Sequence, residues 1–450
     1  MHYGLDFGTT NSAIAIKRDD VGNVVVVPVD PLAVGQQIMR SLLYVRKRKM
    51  RRFVGLSAVQ EYLHDSRSRK PARYKVFDTG RKTIIRIPTG QGDFWNYETD
   101  ITYREDINKP GQLIQALKTS LREGFATQID LFGEKLSLEE LIAVILRQMK
   151  ETADNYLGRP INKVTLGRPV HYDKKSNDLY IEERMRQAAK LAGFTQISFV
   201  PEPVAAAYDY LQSRKCKEDI KIFVFDFGGG TLDFCLMNSK QNSSRVIATD
   251  GLSIGGDLFN ELIMLHKVSP NFGTELNYGP KQLPMPAGLK QGLKKWYEIQ
   301  ALKSPNLSKF LNEVVSQVNE PRLIQNLITL IDYDLGFELF EALEKSKVEL
   351  STMTESVISF HQHDINLEIP ITREEFEKFI GPKVSEIEVS INNLFRKADL
   401  EPDDIAVVVC TGGASYTPLI QSRLRKIFTK SNIVYHNVFQ GIAAGLARVE

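Results

Sequence analysis

The clearest pattern in the chain is an alternation of apolar and polar positions that is interrupted by a glycine-rich turn. Residues 3–17 read as two short strands around the turn GTT, and residues 220–237 repeat this arrangement around GGGT. Alternation with a period of two is typical of strands that bury one face, and a tight glycine turn between two such runs predicts a β-hairpin. The sequence therefore predicts two matched hairpins.

Each hairpin is followed by an alternation of predicted strands and helices. After the first hairpin, strands are predicted at 24–27, 164–167 and 197–200, and helices at 180–193 and 204–211. After the second hairpin, strands are predicted at 245–250 and 405–410, a further hairpin at 356–370, and helices at 257–265, 337–351, 372–380, 418–428 and 441–449. Strands joined by crossover helices form mainly parallel sheets covered by helices. The expected fold class is therefore α/β, with a duplicated, hairpin-first mixed sheet in each of two lobes.

The domain organisation follows from the two repeats. A first lobe is expected at 1–211 and a second at 212–435, which is the usual size range of domains. Residues 436–450 are expected to return to the first lobe, and a helical insertion is expected at about 267–335 in the second. Two such units facing each other form a cleft, where ligands gather at strand ends and loop tips.

Composition restricts the class of protein. Apolar residues make up 42% of the 450 residues and charged residues 25%, which is the balance of a folded globular chain. The three cysteines are isolated from one another, so neither a disulfide framework nor a CxxC metal site is expected, and a cytoplasmic setting is favoured. No apolar stretch reaches the roughly 18 residues that span a bilayer, so no membrane association is expected and the mature protein is expected to begin near Met1.

Positive charge is concentrated in one block. The formal net charge is only +3, but residues 40–86 hold 15 Lys or Arg and three acids. Such a block can meet phosphate, an acidic partner or nucleic acid. Because no aromatic interleaving or nucleic-acid-binding motif accompanies RKRKMRR (46–52), a solvated, twisted hairpin face is the favoured interpretation and a nucleic-acid partner is not expected.

The candidate chemistry lies at the two hairpin tips. A turn rich in Gly and Thr presents backbone N–H groups and hydroxyls to an anion, as phosphate-binding loops do. Asp6 and Asp226 stand at the strand ends beside these turns and could hold Mg²⁺, which bridges carboxylate and phosphate. Further glycine clusters lie at 251–260, 410–418 and 441–445. Two such tips could clamp a nucleoside triphosphate from opposite sides.

Other nucleotide-binding motifs are excluded by inspection. The dipeptide Gly-Lys is absent from the sequence, so there is no Walker A loop. The tripeptide DFG occurs twice, but no HRD catalytic loop accompanies it, so the protein-kinase signature is absent. The expected phosphate clamp is of another type.

Five segments carry a family resemblance. They are GLDFGTTNS (4–12), VTLGRPV through VPEPVAAAYDY (164–210), VFDFGGGTLDF (224–234), EKSKVELS (344–351) and TGGASYTP (411–418). Together they resemble the ATPase domain of DnaK-type heat-shock chaperones, in the superfamily of actin and hexokinase. Residues 283–311 resemble the insertion of the YegD-like branch. The resemblance implies an actin-like ATPase fold that binds ATP or ADP with Mg²⁺.

The resemblance implies a role for each matching residue near the phosphates. Asp6 and Asp226 would hold Mg²⁺ through water, Glu202 would orient the attacking water, and Asp233 would support the waters of the metal. The β and γ phosphates would contact the two loops at Gly8, Thr9, Thr10, Asn11, Gly228, Gly229, Gly230 and Thr231.

On the adenosine side, the resemblance implies contacts from residues spread over several segments. These are Gly255, Gly256, Glu344, Lys347, Ser351, Gly412, Gly413 and Tyr416. Glu344, Lys347 and Ser351 have the spacing i, i+3, i+7, which places them on one helix face. Val348 and Tyr416 replace the cations that sandwich adenine in many family members, and could enclose the ring by apolar contact and stacking.

Two departures from the family pattern limit the expected activity. Val59 is expected at the position of the catalytic lysine, and loss of a positioned cation costs roughly 3 kcal/mol of transition-state stabilisation. A substitute could come from Lys70, Lys75, Arg81 or Lys82. The chain also stops at GLARVE, where the ATPase domain of the family ends, so no peptide-binding domain is expected in cis.

The combined prediction is an ATP-binding, two-lobed protein of the chaperone superfamily. It is expected to be a cytoplasmic monomer and a weak Mg-dependent ATPase at most, which hydrolyses slowly or uses nucleotide as a switch for a protein partner, such as a co-chaperone or exchange factor. Two alternatives stay open. One is a small-molecule kinase or phosphatase of the same fold, which needs an acceptor pocket and a catalytic carboxylate in the cleft; the other is an actin-like filament protein.

Overall fold

The computed structural model of the protein describes residues 1–18, 23–33, 37–88, 94–123, 128–172, 178–214, 219–240 and 243–449. Its strands are β1 (Tyr3–Phe7), β2 (Asn11–Lys17), β3 (Val24–Val27), β4 (Met39–Arg40), β5 (Leu43–Arg46), β6 (Arg51–Val54), β7 (Tyr74–Pro88), β8 (Phe94–Asp106), β9 (Gly111–Ile114), β10 (Gln128–Leu131), β11 (Glu134–Ser137), β12 (Lys163–Arg168), β13 (Gln196–Pro201), β14 (Ile220–Phe227), β15 (Leu232–Lys240), β16 (Ser243–Leu252), β17 (Asn277–Tyr278), β18 (Leu283–Pro284), β19 (Glu355–Gln362), β20 (Ile365–Thr372), β21 (Val407–Thr411) and β22 (Asn432–Tyr435). Its helices are α1 (Leu56–Arg67), α2 (Leu117–Glu123), α3 (Leu138–Leu157), α4 (Asp178–Leu191), α5 (Glu202–Arg214), α6 (Gly256–Ile263), α7 (Ala287–Gly292), α8 (Trp296–Ile299), α9 (Pro305–Val314), α10 (Pro321–Asp332), α11 (Gly336–Glu349), α12 (Arg373–Ala398), α13 (Pro418–Ile427) and α14 (Gly441–Leu446).

Two sheets with the same internal order form the centre of the molecule. The first has the order β13-β12-β1-β2-β3, with β4 beside β2, and the second has the order β22-β21-β14-β15-β16. In both sheets the first hairpin strand lies antiparallel to its hairpin partner and parallel to the strand on its other side. The predicted duplication of a hairpin-first mixed sheet flanked by helices is therefore confirmed. We call the elements around the first sheet the first lobe and those around the second sheet the second lobe.

Local sequence explains where the main elements lie. In β14 every residue from Ile222 to Phe227 is buried, which is typical of a strand covered on both faces. Helix α12 begins at the capping box of Thr372 and Glu375, in which each side chain bonds the backbone of the other residue. Within the described residues, none of the helices combines the length and the apolar character that crossing a bilayer requires.

Helices α5 and α14 cross each other between the two sheets. A Cβ atom on Gly445 would lie 1.9 Å from the carbonyl oxygen of Ala205, so only glycine permits this approach. On the same side, Asp209 accepts hydrogen bonds from His436 Nε2 at 2.9 Å and Arg448 Nε at 3.1 Å. The last helix is thus fixed to α5, whose first residue is Glu202.

The basic block at 40–86 forms the hairpin β5–β6, helix α1 and part of β7. Within RKRKMRR (46–52), the side chains of Arg48, Lys49, Arg51 and Arg52 are exposed on that hairpin, which agrees with the solvated-face interpretation. Arg46 bonds carboxylates on α1, and the Arg69 side chain is only 3% exposed, with Asp106 at 2.5 Å and Asp334 at 3.1 Å. Arg46 and Arg69 are the members of the block that are withdrawn from solvent, because acids on other elements neutralise them.

A second contact between the lobes lies at the mouth of the cleft, and we call it the lobe clasp. It consists of an apolar cluster of Leu42, Tyr44, Ala58, Val59, Tyr62, Leu113, Trp296 and Phe337, together with the polar pairs Arg40–Glu341, Trp296–Gln115, Tyr62–Asp334 and Arg69–Asp334. Trp296 and Phe337 come from the second lobe, and the other apolar members come from the first. The clasp therefore joins the two lobes through both apolar and polar contacts.

The polar pairs of the clasp are well formed. The guanidinium of Arg40 donates to both carboxylate oxygens of Glu341 at 2.7 Å, a bidentate geometry that fixes orientation as well as distance. Asp334 also lies 3.3 Å from Lys303, and burial lowers the pKa of Lys303 to about 8. Although burial opposes it, the neighbouring Lys303, Lys109 and Arg69 hold the pKa of Asp334 below its usual value.

Candidate functional site

The two hairpin tips meet across the cleft. In each tip the first glycine N–H donates to a carbonyl three residues later, from Gly8 to Asn11 and from Gly228 to Thr231, at 3.0 Å in both turns. A Cβ atom on Gly230 would lie 2.6 Å from the hydroxyl of Thr9, so the second tip can approach the first only without side chains. The structure therefore brings together the eight loop residues that the sequence predicts at the phosphates.

A cavity of about 110 Å³ lies where the tips meet. Its lining includes the predicted residues Asp6, Glu202 and Asp226, the loop residues Gly8–Asn11 and Gly228–Thr231, and Gly412 and Gly413. Residues that the sequence did not predict also line it, and they are Ser12, Lys118, Pro169, Tyr172, Val438, Phe439 and Ile442. Asp233 lies just behind this surface, where its Oδ1 accepts a hydrogen bond from the Val170 N–H at 2.7 Å.

The carboxylates of this cavity are buried close together. Burial and the neighbouring Glu202 raise the pKa of Asp6 to about 7, and the same two causes raise the pKa of Asp233 to about 7. Burial, Glu202 and Asp233 also raise the pKa of Asp226 well above its ordinary value. Like charges that cannot separate favour either a bound proton or a neighbouring cation.

That cation is supplied within the protein by Lys118. Its Nζ lies 2.5 Å from Oε1 of Glu202, and both side chains are less than a tenth exposed. Burial alone would lower the pKa of Lys118, but the carboxylates of Glu202 and Asp6 outweigh it and raise that pKa. The residue before α2, Ala116, has a φ of 55°, and this left-handed turn precedes the helix that carries the lysine.

Val59 does not face the phosphate loops. The expectation that Val59 occupies the position of the catalytic lysine is therefore wrong. Val59 is 7% exposed and packs in the apolar cluster of the lobe clasp. Of the proposed substitutes, Lys70, Lys75 and Lys82 are exposed and line neither this cavity nor the larger cavity beside the hairpin tips, and the side chain of Arg81 lies outside the described residues. The sequence feature that could have identified the cation of the site is Lys118 itself, a lysine within the largely apolar stretch LIQALKTSL (113–121).

On the adenosine side, part of the predicted set forms one contact group. Lys347 Nζ lies 2.7 Å from Glu344 Oε2 and 3.1 Å from the carbonyl oxygen of Gly256. Asn260, which the sequence did not predict, donates to Glu344 Oε2 at 2.7 Å. Gly255 precedes α6, so the start of that helix and one face of α11 meet here. Glu344 and Lys347 share that face, in agreement with their i, i+3 spacing.

The remaining adenosine-side residues lie towards the surface. Tyr416 is 40% exposed and stacks on Tyr435 with ring centroids 5.1 Å apart, and Val348 is 57% exposed. Ser351 is half-buried, and neither it nor Tyr416 lines the cavity at the tips. The phenyl ring of Phe439, 49% exposed, lies against Gly413. An aromatic and apolar rim is therefore available beside the two glycines.

The donor set fits a divalent cation that is held through water. Four carboxyl groups, those of Asp6, Glu202, Asp226 and Asp233, surround one ammonium group, and the pKa values of three of them are raised, so the site favours a bound proton or a further cation. Among the described residues, no group of three or more His, Cys, Asp or Glu stands close enough to ligate a metal directly. Mg²⁺ commonly keeps several waters and binds through one or two carboxylates plus phosphates, which agrees with this arrangement.

The comparisons with known proteins agree with the geometry. A family model described as Hsp70 protein matches residues 71–279 and 332–448, more than half of the chain. Curated relatives include the chaperone protein DnaK of Thermosipho melanesiensis, 26% identical over 354 residues, and that of Thermosipho africanus, 24% identical over 354 residues; each alignment covers 76% of this chain and 49% of the relative. The chaperone protein DnaK of Cenarchaeum symbiosum is 24% identical over 351 residues, 76% of this chain and 45% of the relative.

These matches establish the family of the chain, but they do not establish that the chain has the activity of its full-length relatives. The chain spans about half the length of the curated relatives it matches. The matched order of the two sheets and the family model together support the predicted actin-like ATPase fold. The chain belongs to the Hsp70 family and, with it, to the ATP-binding chaperone superfamily.

Proposed function

We propose that the chain binds ATP or ADP with Mg²⁺ between the two hairpin tips and uses the nucleotide to hold the lobes closed. The observation that carries this proposal is the meeting of two matched glycine loops around Lys118 and four buried carboxylates. Backbone N–H groups of the loops bind the β and γ phosphates, and Mg²⁺ offsets the charge of Asp6 and Asp226 when it is bound.

Slow hydrolysis is part of the same proposal. Glu202 begins α5 and points into the cavity, so its carboxylate orients the attacking water and accepts its proton. Lys118 holds Glu202 in place and stabilises the charge that develops on the transferred phosphoryl group. Lys118 supplies the cation that was expected to be missing when Val59 was placed at the position of the catalytic lysine. The chain therefore has the charged groups that hydrolysis needs.

The lobe clasp supports a switching role over rapid turnover. Its buried aromatic cluster and polar pairs must separate before the mouth of the cleft opens, so nucleotide release is slow. A protein partner that opens the lobes, of the co-chaperone or exchange-factor kind, would accelerate that release. We further propose that the chain belongs to the YegD-like branch, which the resemblance of the insertion at 283–311 supports, and that it acts as a cytoplasmic monomer.

Trp296 offers a direct test of nucleotide-dependent closure. Its indole Nε1 bonds Gln115 across the lobes at 2.8 Å, and the sequence has only one other tryptophan, Trp95. In a Trp95→Phe variant, adding Mg-ATP or Mg-ADP is expected to change the emission of Trp296, with a further change during hydrolysis of ATP but not of a non-hydrolysable analogue. Emission that is identical with and without saturating nucleotide would contradict the switch.

A further inference from the structure

The wall of the cavity at the hairpin tips changes character from one part to the next. One part consists of the two glycine loops and the buried carboxylates, and another consists of Gly412, Gly413, Val438, Phe439 and Ile442. None of these five residues carries a charged or polar side chain. With the phosphates of a nucleotide at the loops, its ribose and base extend towards this uncharged part of the wall.

Close approaches fix the order of these residues along the cavity. A Cβ atom on Gly412 would lie 2.2 Å from the carbonyl oxygen of Phe227, so this glycine lies directly beside the start of the second loop. A Cβ atom on the next residue, Gly413, would lie 3.1 Å from Cε1 of Phe439. The path from the second loop therefore runs over the two glycines to the phenyl ring.

The ring of Phe439 is half exposed, although hydrogen bonds hold the backbone around it. The N–H groups of Gln440 and Gly441 donate to the carbonyl oxygen of Asn437 at 2.8 and 2.7 Å, and the side chain of Asn437 donates to Asp209 at 2.9 Å. The phenyl ring nevertheless keeps 49% of its residue surface exposed. A positioned aromatic ring with a free surface on a cavity wall is suited to stacking on a planar ligand.

Helix α11 borders the same region from another side. A Cβ atom on Gly256 would lie 3.4 Å from Nζ of Lys347 and 3.5 Å from Cβ of Ala414, so the start of α6, one face of α11 and the turn that contains Ala414 meet at one point. Val348 follows Lys347 on α11, Tyr416 ends the turn, and both side chains are exposed. Apolar and aromatic groups are therefore available to a nucleoside from two elements besides the ring of Phe439.

The polar side chains of this region do not select one base. Lys347 donates to Glu344 at 2.7 Å and to the carbonyl oxygen of Gly256 at 3.1 Å, and Glu344 also accepts from Asn260. Ser351, the third predicted residue of that helix face, carries a hydroxyl group, which can either donate or accept. A site discriminates strongly between two ligands only where it hydrogen-bonds a group that one of them lacks.

We propose that Phe439 is the residue that determines affinity for the base, and that the site binds guanine nucleotides about as tightly as adenine nucleotides. The base stacks on the phenyl ring, and stacking accepts either purine because each presents a π face of similar size. This inference deepens the proposed function and rests on it, because it takes the phosphates to lie at the hairpin tips.

The test is calorimetric titration of the full chain with Mg-ADP, Mg-GDP and Mg-pyrophosphate, the last of which has phosphates but no base. The Kd values of ADP and GDP are expected to agree within about threefold, because stacking does not depend on the base edge. Phe439→Ala is expected to weaken both nucleotides about tenfold, the scale of one lost base–aromatic stack, and to leave pyrophosphate binding unchanged.

Two further variants serve as controls. Phe439→Tyr keeps an aromatic ring at the position and is expected to bind both nucleotides as the wild type does. Leu283→Ala removes a similarly exposed apolar side chain, 48% exposed on β18, from outside the cavity, and is expected to change none of the three affinities.

Three results would overturn the inference while pyrophosphate still binds to the wild type. The first is GDP binding that is more than about tenfold weaker than ADP binding, which would mean that the site reads the base edge. The second is unchanged nucleotide binding in Phe439→Ala, and the third is an equal loss of nucleotide and pyrophosphate binding in that variant. Failure of the folded wild type to bind any of the three compounds is a different result, which contradicts the proposed function and the inference with it.

Discussion

Nζ of Lys118 lies 2.5 Å from Oε1 of Glu202, across 84 positions of sequence, inside the cavity where the two hairpin tips meet. Both side chains are buried, so the pair is not an ordinary surface ion pair. A buried charge pair is retained only where its partners satisfy each other, and removing one partner leaves an uncompensated charge. The positive charge of the site therefore belongs to Lys118, which lies outside residues 59–82, where the catalytic lysine or its substitute was expected.

The first prediction concerns turnover in a Lys118→Met variant. Loss of the cation is expected to lower kcat for ATP hydrolysis by about 100-fold or more, because a positioned positive charge is removed from the phosphoryl-transfer site. Steady-state phosphate release measures this. The variant is also expected to lose roughly 3 kcal/mol of folding stability, because Glu202 is left unpaired.

A matched control separates the two effects. Lys150 is a buried lysine on α3 that pairs with Asp154 at 2.6 Å, and it does not line the cavity at the tips. Lys150→Met is expected to lose stability in denaturant unfolding but to keep the kcat of the wild type. Equal loss of turnover in both variants would mean that Lys118 acts only through stability.

The second prediction concerns nucleotide release through the lobe clasp. The pair Arg40–Glu341 is partly exposed, so Arg40→Ala is expected to cost about 1 kcal/mol of closure and to speed release of a fluorescent ADP analogue by about fivefold. The charge-swapped double variant Arg40→Glu with Glu341→Arg is expected to restore slow release. Stopped-flow displacement by excess ADP measures the rate.

The same experiment has a surface control. Lys383 and Glu386 form an exposed pair on α12 at 2.7 Å, and Lys383→Ala is expected to leave the release rate unchanged. Arg69→Met, which leaves Asp106 and Asp334 buried without their guanidinium, is expected to have a larger effect than Arg40→Ala. Release rates that do not differ among these variants would show that the clasp does not control opening.

The third prediction is a pH dependence of closure. Glu338 accepts hydrogen bonds from Tyr62 and Ser66 across the lobes, and burial raises its pKa from an ordinary 4.5 to about 7. Closure therefore takes up a proton between these values, so the closed form is favoured at low pH and is weakened as the pH rises through 7. Release of the ADP analogue is expected to be faster at pH 8 than at pH 6.

Neighbouring groups do not reverse this sign. The pKa of Asp334 is lowered, so Asp334 stays ionised between pH 6 and pH 8. Lys303 has a pKa of about 8, so it loses its proton mainly above this range. Glu338→Gln keeps the shape of the side chain and is expected to reduce the difference between pH 6 and pH 8; the part that remains is expected from Asp6 and Asp233, whose pKa values are also about 7. A pH dependence that is undiminished in Glu338→Gln would place its origin outside the clasp.

The fourth prediction concerns Mg²⁺. With Mg²⁺ present, ADP at about 100 times its Kd is expected to stabilise the chain by roughly 2.7 kcal/mol, visible as a rise in Tm. With EDTA, most of this gain is expected to disappear, because the four carboxylates then repel the phosphates directly. An equal rise in Tm with EDTA would contradict the metal's role.

The sequence carries most of the fold but not all of the site. The two hairpins follow from local periodicity and the capping box at Thr372 from its residue spacing. The elements between β3 and β12, among them the 20-residue helix α3, were not predicted from the sequence. Helix α12 was predicted to end at Ile380, before Gly381 and Pro382, but it continues to Ala398. The buried stripe that includes Val384 and Ile387 holds the helix on the core, and this tertiary packing outweighs the local cost of the proline.

Lys118 and the lobe clasp could not be located from spacing alone. The long hairpin β7–β8 separates Lys118 from the first glycine loop, so the lysine lies far along the chain from the segment where the resemblance placed it. Asp334 and Arg69 are likewise distant in sequence, and only folding shows that they meet. Contacts of this kind depend on tertiary approach, which residue periodicity does not encode.

Binding of one Mg-nucleotide between the two hairpin tips can be measured by calorimetric titration of the wild-type chain and of Asp226→Ala with ATP and ADP in the presence of Mg²⁺. The wild type is expected to bind one nucleotide per chain, and the variant is expected to bind it at least about tenfold more weakly, because a carboxylate that holds the metal is lost. Absence of nucleotide binding by the folded wild type would contradict the account.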